Sequence, residues 1–285
     1  MGKITTRTLK TKKKNKEKIT MLTAYDYPTA KILDDSGVDM ILVGDSLGMV
    51  VLGYEDTTKV TMDDMAHHTK AVTRAANNAF VVADMPFLSY HLDVNTAVVN
   101  AGRLIRECGA NAVKVEGGKT ITNVVKAIVR ANIPVVGHLG ITPQSVHVDG
   151  GYFIRNKSAD QVKRLLEDAI ALEEAGVCAI VLECVPHEVA KIVTKKISVP
   201  IIGIGSGVDV DGQVLVINDI LGTYHGQIAK FVKQYANIND SIESSVRSYI
   251  EDVKSCSFPE EKHTFKIKKE ILNNANINGD ENDYI

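Results

Sequence analysis

Three segments of this 285-residue chain repeat one pattern, in which a glycine is followed by an apolar run that ends in an acid. The segments are GVDMILVGD from Gly37, GANAVKVE from Gly109 and GVCAIVLE from Gly176. In each of them the glycine ends a helical pattern, as glycine commonly does. Nearly continuous apolar strands are typical of parallel sheets that helices cover on both faces. The repeat therefore predicts a fold made of successive β/α units.

The same alternation runs from about residue 19 to residue 255. Helical patterns lie between short runs that are rich in valine and isoleucine. Several helix starts are marked by capping residues, namely Thr61, Asp93 and Ser158. The predicted strands are ITMLTAYD, VDMILVGD, FVVADMP, ANAVKVEGG, IPVVGHLG, VCAIVLECVP and VPIIGIGSG, and the predicted helices are 27–36, 61–76, 93–108, 120–132, 158–175 and 187–197.

Seven clear strands joined by helices favour a (β/α)8 TIM barrel in a single domain, with a weak eighth strand near Ile228–Val232. The alternative is an open doubly wound sheet, but no G-x-G-x-x-G follows the first strand. We expect the barrel to span residues 19–265. Residues 1–18 are predicted to form a basic arm or short helix. Residues 266–285 form a polar tail whose composition favours disorder.

Composition narrows the class of protein. The chain is 45% hydrophobic and 24% charged with a net charge of −2, which is typical of a globular protein without a nucleic-acid partner. No apolar run has transmembrane length, so no membrane partner is expected. The four cysteines form no C-x-x-C pair, and the basic N-terminus has no apolar secretory stretch. We therefore expect a cytoplasmic protein.

Charged residues follow the predicted strands at several points, namely Asp26, Asp45, Asp84, Glu116, His138 and Glu183. In a barrel the C-terminal strand ends form one rim, which carries the active site. A single acid in such a place is often only a helix cap or a turn former. Several carboxylates on one rim repel one another, and a cation relieves that repulsion. Oxygen ligands suit Mg²⁺, which keeps few protein carboxylates and accepts a chelating ligand such as a 2-oxo acid.

Lys114 lies two residues before Glu116, so both side chains leave the same face of one strand. A lysine in a buried strand is costly unless it is paired. One interpretation is a buried Lys–Glu pair that serves stability alone. The other is a cation that binds a substrate carboxylate beside the metal, where Ser46 would add a hydroxyl and a backbone N–H.

Glu183 ends an apolar strand, and a carboxylate in such surroundings is suited to act as a general base. Cys184 is a rival nucleophile, but neighbouring strand residues point to opposite faces, so we expect its thiol outside the barrel. His138 is a candidate donor to a substrate oxygen, with a satisfied rim histidine as the alternative.

Long stretches of the chain resemble the ketopantoate hydroxymethyltransferase family. The resemblance extends in unbroken order over about residues 4–265, and its most specific motifs are VGDSLGM and GHLGITPQS. It implies a (β/α)8 barrel that holds one Mg²⁺ per subunit and belongs to a homo-oligomer, typically a decamer. It further implies transfer of a one-carbon unit from 5,10-methylenetetrahydrofolate to 3-methyl-2-oxobutanoate. The product is 2-dehydropantoate, on the route to pantothenate and coenzyme A.

The family's site residues can be placed on this chain. Asp45, Asp84 and Glu116 match the metal-site acids, and Glu183 matches the proton acceptor. The residues that match the 2-oxo acid contacts are Asp45, Ser46, Asp84 and Lys114, to which the rim position of His138 adds a further substrate-binding candidate. Three positions depart from the family pattern on the expected folate side: Ser206 for alanine, Asn218 for histidine and Ala229 for proline.

Two other functions fit a barrel with acids on its rim. One is a metal-dependent carbon–carbon lyase of the isocitrate lyase and phosphoenolpyruvate mutase group, although the Lys-Lys-Cys-Gly-His signature of that lyase is absent. The other is a barrel without catalytic activity that serves binding or assembly. Such a barrel would be expected to lose at least one charged rim residue, and this chain keeps them all.

Overall fold

The computed structural model describes residues 2–151, 158–224, 226 and 228–275. Eight parallel strands close into a barrel in sequence order, each paired with the next and β8 paired with β1. The (β/α)8 barrel is therefore confirmed, and the open doubly wound sheet is excluded. The strands are β1 Ile19–Thr23, β2 Met40–Val43, β3 Phe80–Asp84, β4 Ala112–Glu116, β5 Val135–Gly140, β6 Ala179–Glu183, β7 Ile201–Ile204 and β8 Gly212–Leu215.

The six predicted helices are all present, with ends within two residues of the prediction. The side chains of Thr61, Asp93 and Ser158 each accept a backbone N–H at a helix start, as their residue types predict. The α-helices are α1 Thr6–Asn15, α2 Tyr27–Asp35, α3 Leu47–Val50, α4 Met62–Ala75, α5 Val94–Arg106, α6 Thr122–Arg130, α7 Val146–Asp149, α8 Ala159–Ala175, α9 His187–Lys196, α10 Ile217–Leu221, α11 Ile238–Lys254 and α12 Lys269–Asn274.

The prediction of the eighth strand near Ile228–Val232 is wrong, because β8 is formed by Gly212–Leu215. The chain passes from β7 to β8 through residues 205–211 without a helix. A helix was expected before every strand, so the eighth strand was predicted too far along the chain. β8 is also short and begins with Gly212, where an added Cβ would lie 2.4 Å from the carbonyl oxygen of Ile19. A glycine is therefore needed where β8 meets β1.

Alternate strand residues point into the barrel and fill it with apolar side chains. The buried cluster includes Met21, Leu42, Val82, Ala112, Val136, Val181, Ile202 and Val214. The same period of two carries the inward face from Val82 to Asp84 and from Val181 to Glu183. Apolar layers thus support a polar layer at the C-terminal ends of the strands.

Helix α1 crosses the N-terminal end of the barrel. Its Leu9 is fully buried and joins the cluster inside the barrel. Lys12 pairs with Asp39, which precedes β2, and Lys13 pairs with Asp211, which precedes β8, at 2.7 Å. Lys13 also donates to the carbonyl oxygen of Val199 at 2.9 Å. The basic N-terminal segment is therefore bound to strand starts around the bottom of the barrel.

Residues 1–236 and 237–285 form two compact units. The first unit contains the complete barrel. The second contains α11 and α12, and apolar side chains recur along α11 at Ile242, Val246, Tyr249, Ile250 and Val253. This spacing places them on one face of that helix. In the part of the chain that the structure describes, no helix is long and apolar enough to cross a membrane.

Candidate active site

A cavity of about 230 Å³ lies at the C-terminal end of the barrel. All seven site residues proposed from the sequence line it: Asp45, Ser46, Asp84, Lys114, Glu116, His138 and Glu183. The lining also includes apolar side chains, namely Leu42, Val181, Ile204, Val214 and Phe231. The cavity therefore offers both charges and hydrocarbon contacts to a small molecule.

The register of the parallel strands brings these side chains together. Asp84 is paired with Lys114 across β3 and β4, and Glu116 is paired with His138 across β4 and β5. The Nζ atom of Lys114 lies 3.0 Å from Asp84 Oδ1 and 3.9 Å from Glu116 Oε1. Neither oxygen receives a hydrogen bond of good geometry, so these contacts are ion pairs only.

Asp45 enters the site from the loop after β2. Its backbone N–H donates to Asp84 Oδ2 at 3.0 Å, which ties the loop to β3. Gly44 makes this approach possible, because an added Cβ would lie 2.7 Å from Ser46 Oγ and 3.5 Å from Asp84 Oδ2. A larger residue in place of Gly44 would force the Ser46 hydroxyl to move.

The acids repel one another in a space from which water is largely excluded. Burial, followed by repulsion from Asp84 and Glu116, raises the pKa of Asp45 well above its ordinary value. Burial also raises the pKa of Asp84, although Lys114 opposes the shift. The raised pKa values mean that the single ammonium of Lys114 does not compensate the charge of all the acids.

Among these three acids, Glu116 is the one whose charged form its neighbours stabilise most. Burial opposes its charge, but His138 and Lys114 together lower the pKa of Glu116 below its ordinary value. Its neighbour Lys114 is only 4% exposed, and the surrounding acids raise the pKa of that ammonium in spite of burial. Lys114 therefore remains charged inside the barrel.

His138 connects two carboxylates. Its Nδ1 lies 3.4 Å from Glu116 Oε1, and its Nε2 lies 3.2 Å from Glu183 Oε2. Burial and Lys114 disfavour a charged ring, yet Glu116 and Glu183 raise the pKa of His138 to about 9. The Nδ1 of the ring also lies 3.3 Å from Lys114 Nζ, so His138 stands between an ammonium and two carboxylates.

Three further sequence expectations receive a structural answer. Asp26 does not belong to the rim, because it is exposed and caps α2 by accepting the N–H of Thr29 at 2.8 Å. The hydroxyl of Ser46 lies in the cavity wall, 2.9 Å from the hydroxyl of Tyr25. Burial raises the pKa of Cys184 to about 11, which makes this thiol a poor nucleophile beside Glu183.

Two buried residues of the site were missed in the sequence interpretation. Gln144 follows β5 in a short 3₁₀ turn, and its side chain donates to Asp45 Oδ2 at 2.8 Å. Tyr90 follows β3, and its hydroxyl donates to Gln144 Oε1 at 2.7 Å. Neither residue lies directly at a strand end, which was the criterion used. The available signal was the position of Gln144 within the specific motif GHLGITPQS.

The donor set fits a hard divalent cation in its chemistry. Asp84 Oδ1 and Glu116 Oε1 are buried oxygens that face the ammonium of Lys114 and the ring of His138 without a hydrogen bond of good geometry, and such oxygens are the ligands that a hard cation prefers. The acids here surround the ammonium of Lys114. Within the described ranges, no group of three or more Asp, Glu, His or Cys side chains is arranged to hold a metal ion by itself. Mg²⁺ does not require such a closed cage, since it keeps several waters and binds a chelating ligand.

The residues that depart from the family pattern have structural roles. Ser206 is 1% exposed, and its hydroxyl accepts the N–H of Val185 at 3.1 Å and donates to the carbonyl of Leu182 at 2.7 Å. It therefore holds both sides of Glu183. Asn218 donates from its side chain to Thr223 at 3.0 Å, and Ala229 is exposed.

Solved structures of low sequence identity share the barrel fold of this chain. The barrel resembles a phosphonopyruvate hydrolase, with a TM-score of 0.60 and 13% identity over 95% of this chain and 94% of that one. It also resembles 2,3-dimethylmalate lyase, a phosphoenolpyruvate mutase/isocitrate lyase superfamily member, with a TM-score of 0.57 and 15% identity over 95% and 98%. At such identities the likeness concerns the fold alone.

The sequence itself matches a narrower group. The family model for ketopantoate hydroxymethyltransferase matches residues 3–261, and the chain belongs to this family. A relative from Thermoanaerobacter sp. (strain X514), named 3-methyl-2-oxobutanoate hydroxymethyltransferase, is 59% identical over 94% of this chain and 97% of its own length. A relative of the same name from Acetivibrio thermocellus is 58% identical over 95% of both chains.

We predict that Ser206→Ala lowers the free energy of unfolding by about 1–3 kcal/mol, because the buried N–H of Val185 loses its acceptor. Ser198→Ala is the matched control, since the Ser198 hydroxyl bonds to Glu173 on the surface. Its loss should cost less than about 0.5 kcal/mol. Chemical denaturation measures both values, and equal losses in the two variants would contradict the structural role of Ser206.

Proposed function

We propose that this protein transfers a hydroxymethyl group to 3-methyl-2-oxobutanoate and forms 2-dehydropantoate, with 5,10-methylenetetrahydrofolate as the one-carbon donor. The observation that carries the proposal is the cavity that combines buried acids, one lysine and an apolar wall. Its size, about 230 Å³, suits a small 2-oxo acid. The high identity to relatives named for this activity supports the same conclusion.

The two ends of the cavity suit the two ends of the substrate. We assign the carboxylate and ketone oxygens to the charged end, where Lys114 is the buried cation and Ser46 adds a hydroxyl. The branched alkyl end would contact Leu42, Val181 and Val214. This orientation directs the C3 carbon toward Glu183 at the cavity edge.

We propose Mg²⁺ as the cofactor, one per subunit, with Asp45, Asp84 and Glu116 as its protein ligands. When bound, the cation supplies positive charge beside the ketone and carboxylate oxygens of the substrate. The uncompensated charge of the acids supports this assignment. A phosphonopyruvate hydrolase of the same fold has been crystallised with oxalate and Mg²⁺. That complex concerns the other protein, but it involves a dicarboxylate of similar chelating geometry.

Glu183 is the proposed proton acceptor. Its carboxylate takes the proton from C3, while Lys114 and the protonated His138 balance the negative charge that appears on the substrate. The C3 carbon then forms a bond to the methylene carbon of the folate, and both carbon–nitrogen bonds that hold this carbon in the folate break in the course of the transfer. One water molecule supplies the hydroxyl group of the new hydroxymethyl group. The second proton of that water and the proton taken from C3 end on the two folate nitrogens, so that tetrahydrofolate leaves and the atoms balance.

The wider assembly is also a proposal. Apolar side chains on one face of α11 are the kind of surface that a second copy covers in a homo-oligomer. We propose a homo-oligomer, a decamer in accordance with the family resemblance, in the cytoplasm. The partners in this proposal are the small-molecule 2-oxo acid and the folate, without a nucleic-acid or membrane partner.

We expect the purified protein to convert 3-methyl-2-oxobutanoate only when 5,10-methylenetetrahydrofolate is present. EDTA should abolish turnover and added Mg²⁺ should restore it. Product formation can be followed by chromatography of the 2-oxo acids. Turnover without folate would contradict the one-carbon transfer and favour a lyase, whereas turnover that resists EDTA would contradict the metal requirement alone.

Glu183→Gln should slow deuterium exchange at C3 of the 2-oxo acid by about 10²–10⁴-fold in the absence of folate, because a general base contributes by that factor. Nuclear magnetic resonance in deuterated water measures the exchange. Glu188→Gln is the control, since Glu188 lies in the first turn of α9 and its side chain is 83% exposed. Unchanged exchange in Glu183→Gln would remove this residue from the role of base.

Sedimentation equilibrium should give a mass about ten times that of one 31.0 kDa chain. Replacing Val246 and Ile250 by lysine should lower that mass, because both side chains lie on the apolar face of α11. Lys254→Ala, at the end of the same helix, serves as the control. A single-chain mass for the unchanged protein would contradict the proposed assembly.

A further inference from the structure

The side-chain amide of Gln144 and its backbone N–H all form hydrogen bonds within the rim. Its backbone N–H donates to Glu116 Oε2 at 3.0 Å. Its side-chain amide donates to Asp45 Oδ2 at 2.8 Å and to the carbonyl oxygen of Met85 at 2.9 Å, and its Oε1 accepts from Tyr90 at 2.7 Å. One residue of 5% exposure thus contacts two of the proposed metal ligands.

The orientation of the Gln144 amide follows from its partners. Asp45 Oδ2 and the carbonyl of Met85 accept hydrogen bonds, so the NH₂ group must face them. The hydroxyl of Tyr90 accepts the backbone N–H of Glu116 at 3.0 Å, which leaves its own proton to donate. That proton goes to Gln144 Oε1 at 2.7 Å, since its other acceptor, the Glu116 carbonyl, is 3.4 Å away. Tyr90, itself fully buried, therefore fixes the amide in a single orientation.

These donors divide the oxygens of the acids into two sets. One oxygen of each acid is held by an N–H group: Asp45 Oδ2 by the Gln144 side chain, Glu116 Oε2 by the Gln144 backbone and Asp84 Oδ2 by the backbone of Asp45. The second oxygens face side chains of the site instead: Asp84 Oδ1 lies 3.0 Å from Lys114 Nζ, and Glu116 Oε1 lies 3.4 Å from His138 Nδ1. An oxygen that already accepts an N–H has one lone pair fewer to offer, so each acid presents its other oxygen to a cation more readily.

We infer that Gln144, fixed by Tyr90, is a positioning residue that occupies Asp45 Oδ2, leaves Asp45 Oδ1 as the better cation ligand and thereby favours Mg²⁺ over Ca²⁺. Ca²⁺ accepts six to eight oxygens and commonly binds both oxygens of a carboxylate, whereas Mg²⁺ requires a compact octahedron. Hydrogen bonds to ligand carboxylates typically change metal affinity by about 10–100-fold. The inference rests on the proposed function, because it assumes that the rim acids bind a divalent cation.

The test uses the full-length protein freed of metal with EDTA. Binding of Mn²⁺ is followed by the electron paramagnetic resonance signal of the free ion, and Mg²⁺ and Ca²⁺ then compete for the site. Gln144→Met keeps the length of the side chain and the backbone N–H but removes the amide. We expect its Mn²⁺ affinity to fall about 10–100-fold and its preference for Mg²⁺ over Ca²⁺ to fall about tenfold.

Two further variants complete the experiment. Tyr90→Phe keeps the ring and the Gln144 amide but removes the hydroxyl that orients it, so the preference should fall in the same direction by a smaller factor. Gln213→Met is the control, because Gln213 is exposed and its side-chain amide donates to the carbonyl oxygen of Gly207 at 2.7 Å. It contacts none of the proposed metal ligands through this hydrogen bond. It should bind all three ions as the unchanged protein does.

The possible outcomes separate the two proposals. If the unchanged protein binds no Mn²⁺, the metal assignment in the proposed function fails. If it binds Mn²⁺ but Gln144→Met keeps the same Mg²⁺-to-Ca²⁺ preference, the inference about Gln144 is overturned and its role is merely structural. Should Gln144→Met fail to fold, as judged by circular dichroism, Tyr90→Phe decides, and an unchanged preference in that variant overturns the inference.

Discussion

The site depends on the balance between negative and positive side chains that are buried inside the barrel. Asp84 and Glu116 lie 3.0 and 3.9 Å from the ammonium of Lys114, and the charge of Asp45 acts on the same ammonium. Removing charged groups from water is costly, and only compensating charges and hydrogen bonds make it tolerable. The acids on this rim are therefore far more sensitive to their neighbours than acids on the surface would be. Every other feature of the site, from the charged His138 to the turn that carries Gln144, acts on this balance.

The sequence was sufficient for most of the fold. Helix stops at Gly37, Gly109 and Gly176 and caps at Thr61 and Ser158 are local signals, and local signals survive in the folded chain. The eighth strand was placed wrongly because β7 and β8 are joined without a helix, which breaks the regular alternation. What distinguishes β8 is its pairing with β1, and that pairing joins residues nearly two hundred positions apart.

The same distinction applies to the site. Charged residues directly at strand ends could be predicted because the barrel gathers all such ends on one rim. Asp26 has the same local pattern, yet β1 ends before it and the residue caps a helix instead. Gln144 and Tyr90 could not be found by this rule. Their importance arises from contacts among β3, β4 and β5 that exist only once the barrel has closed.

The comparisons with known proteins also separate what concerns the fold from what concerns the site. Solved structures with 13–15% identity share the barrel architecture with this chain, and architecture alone does not determine a reaction. Relatives with 58–59% identity share far more than architecture. Ser206 does not line the cavity but bonds to the backbone on both sides of Glu183.

Helix α1 gives the barrel one closed end. Leu9 fills the base of the interior, and the lysines of α1 are bound to residues that precede β2 and β8. In the described part of the chain, molecules therefore reach the acids through the opposite mouth. Both molecules of the proposed two-substrate reaction would therefore enter through one opening, and a folate bound above the 2-oxo acid would also block the exit of the 2-oxo acid.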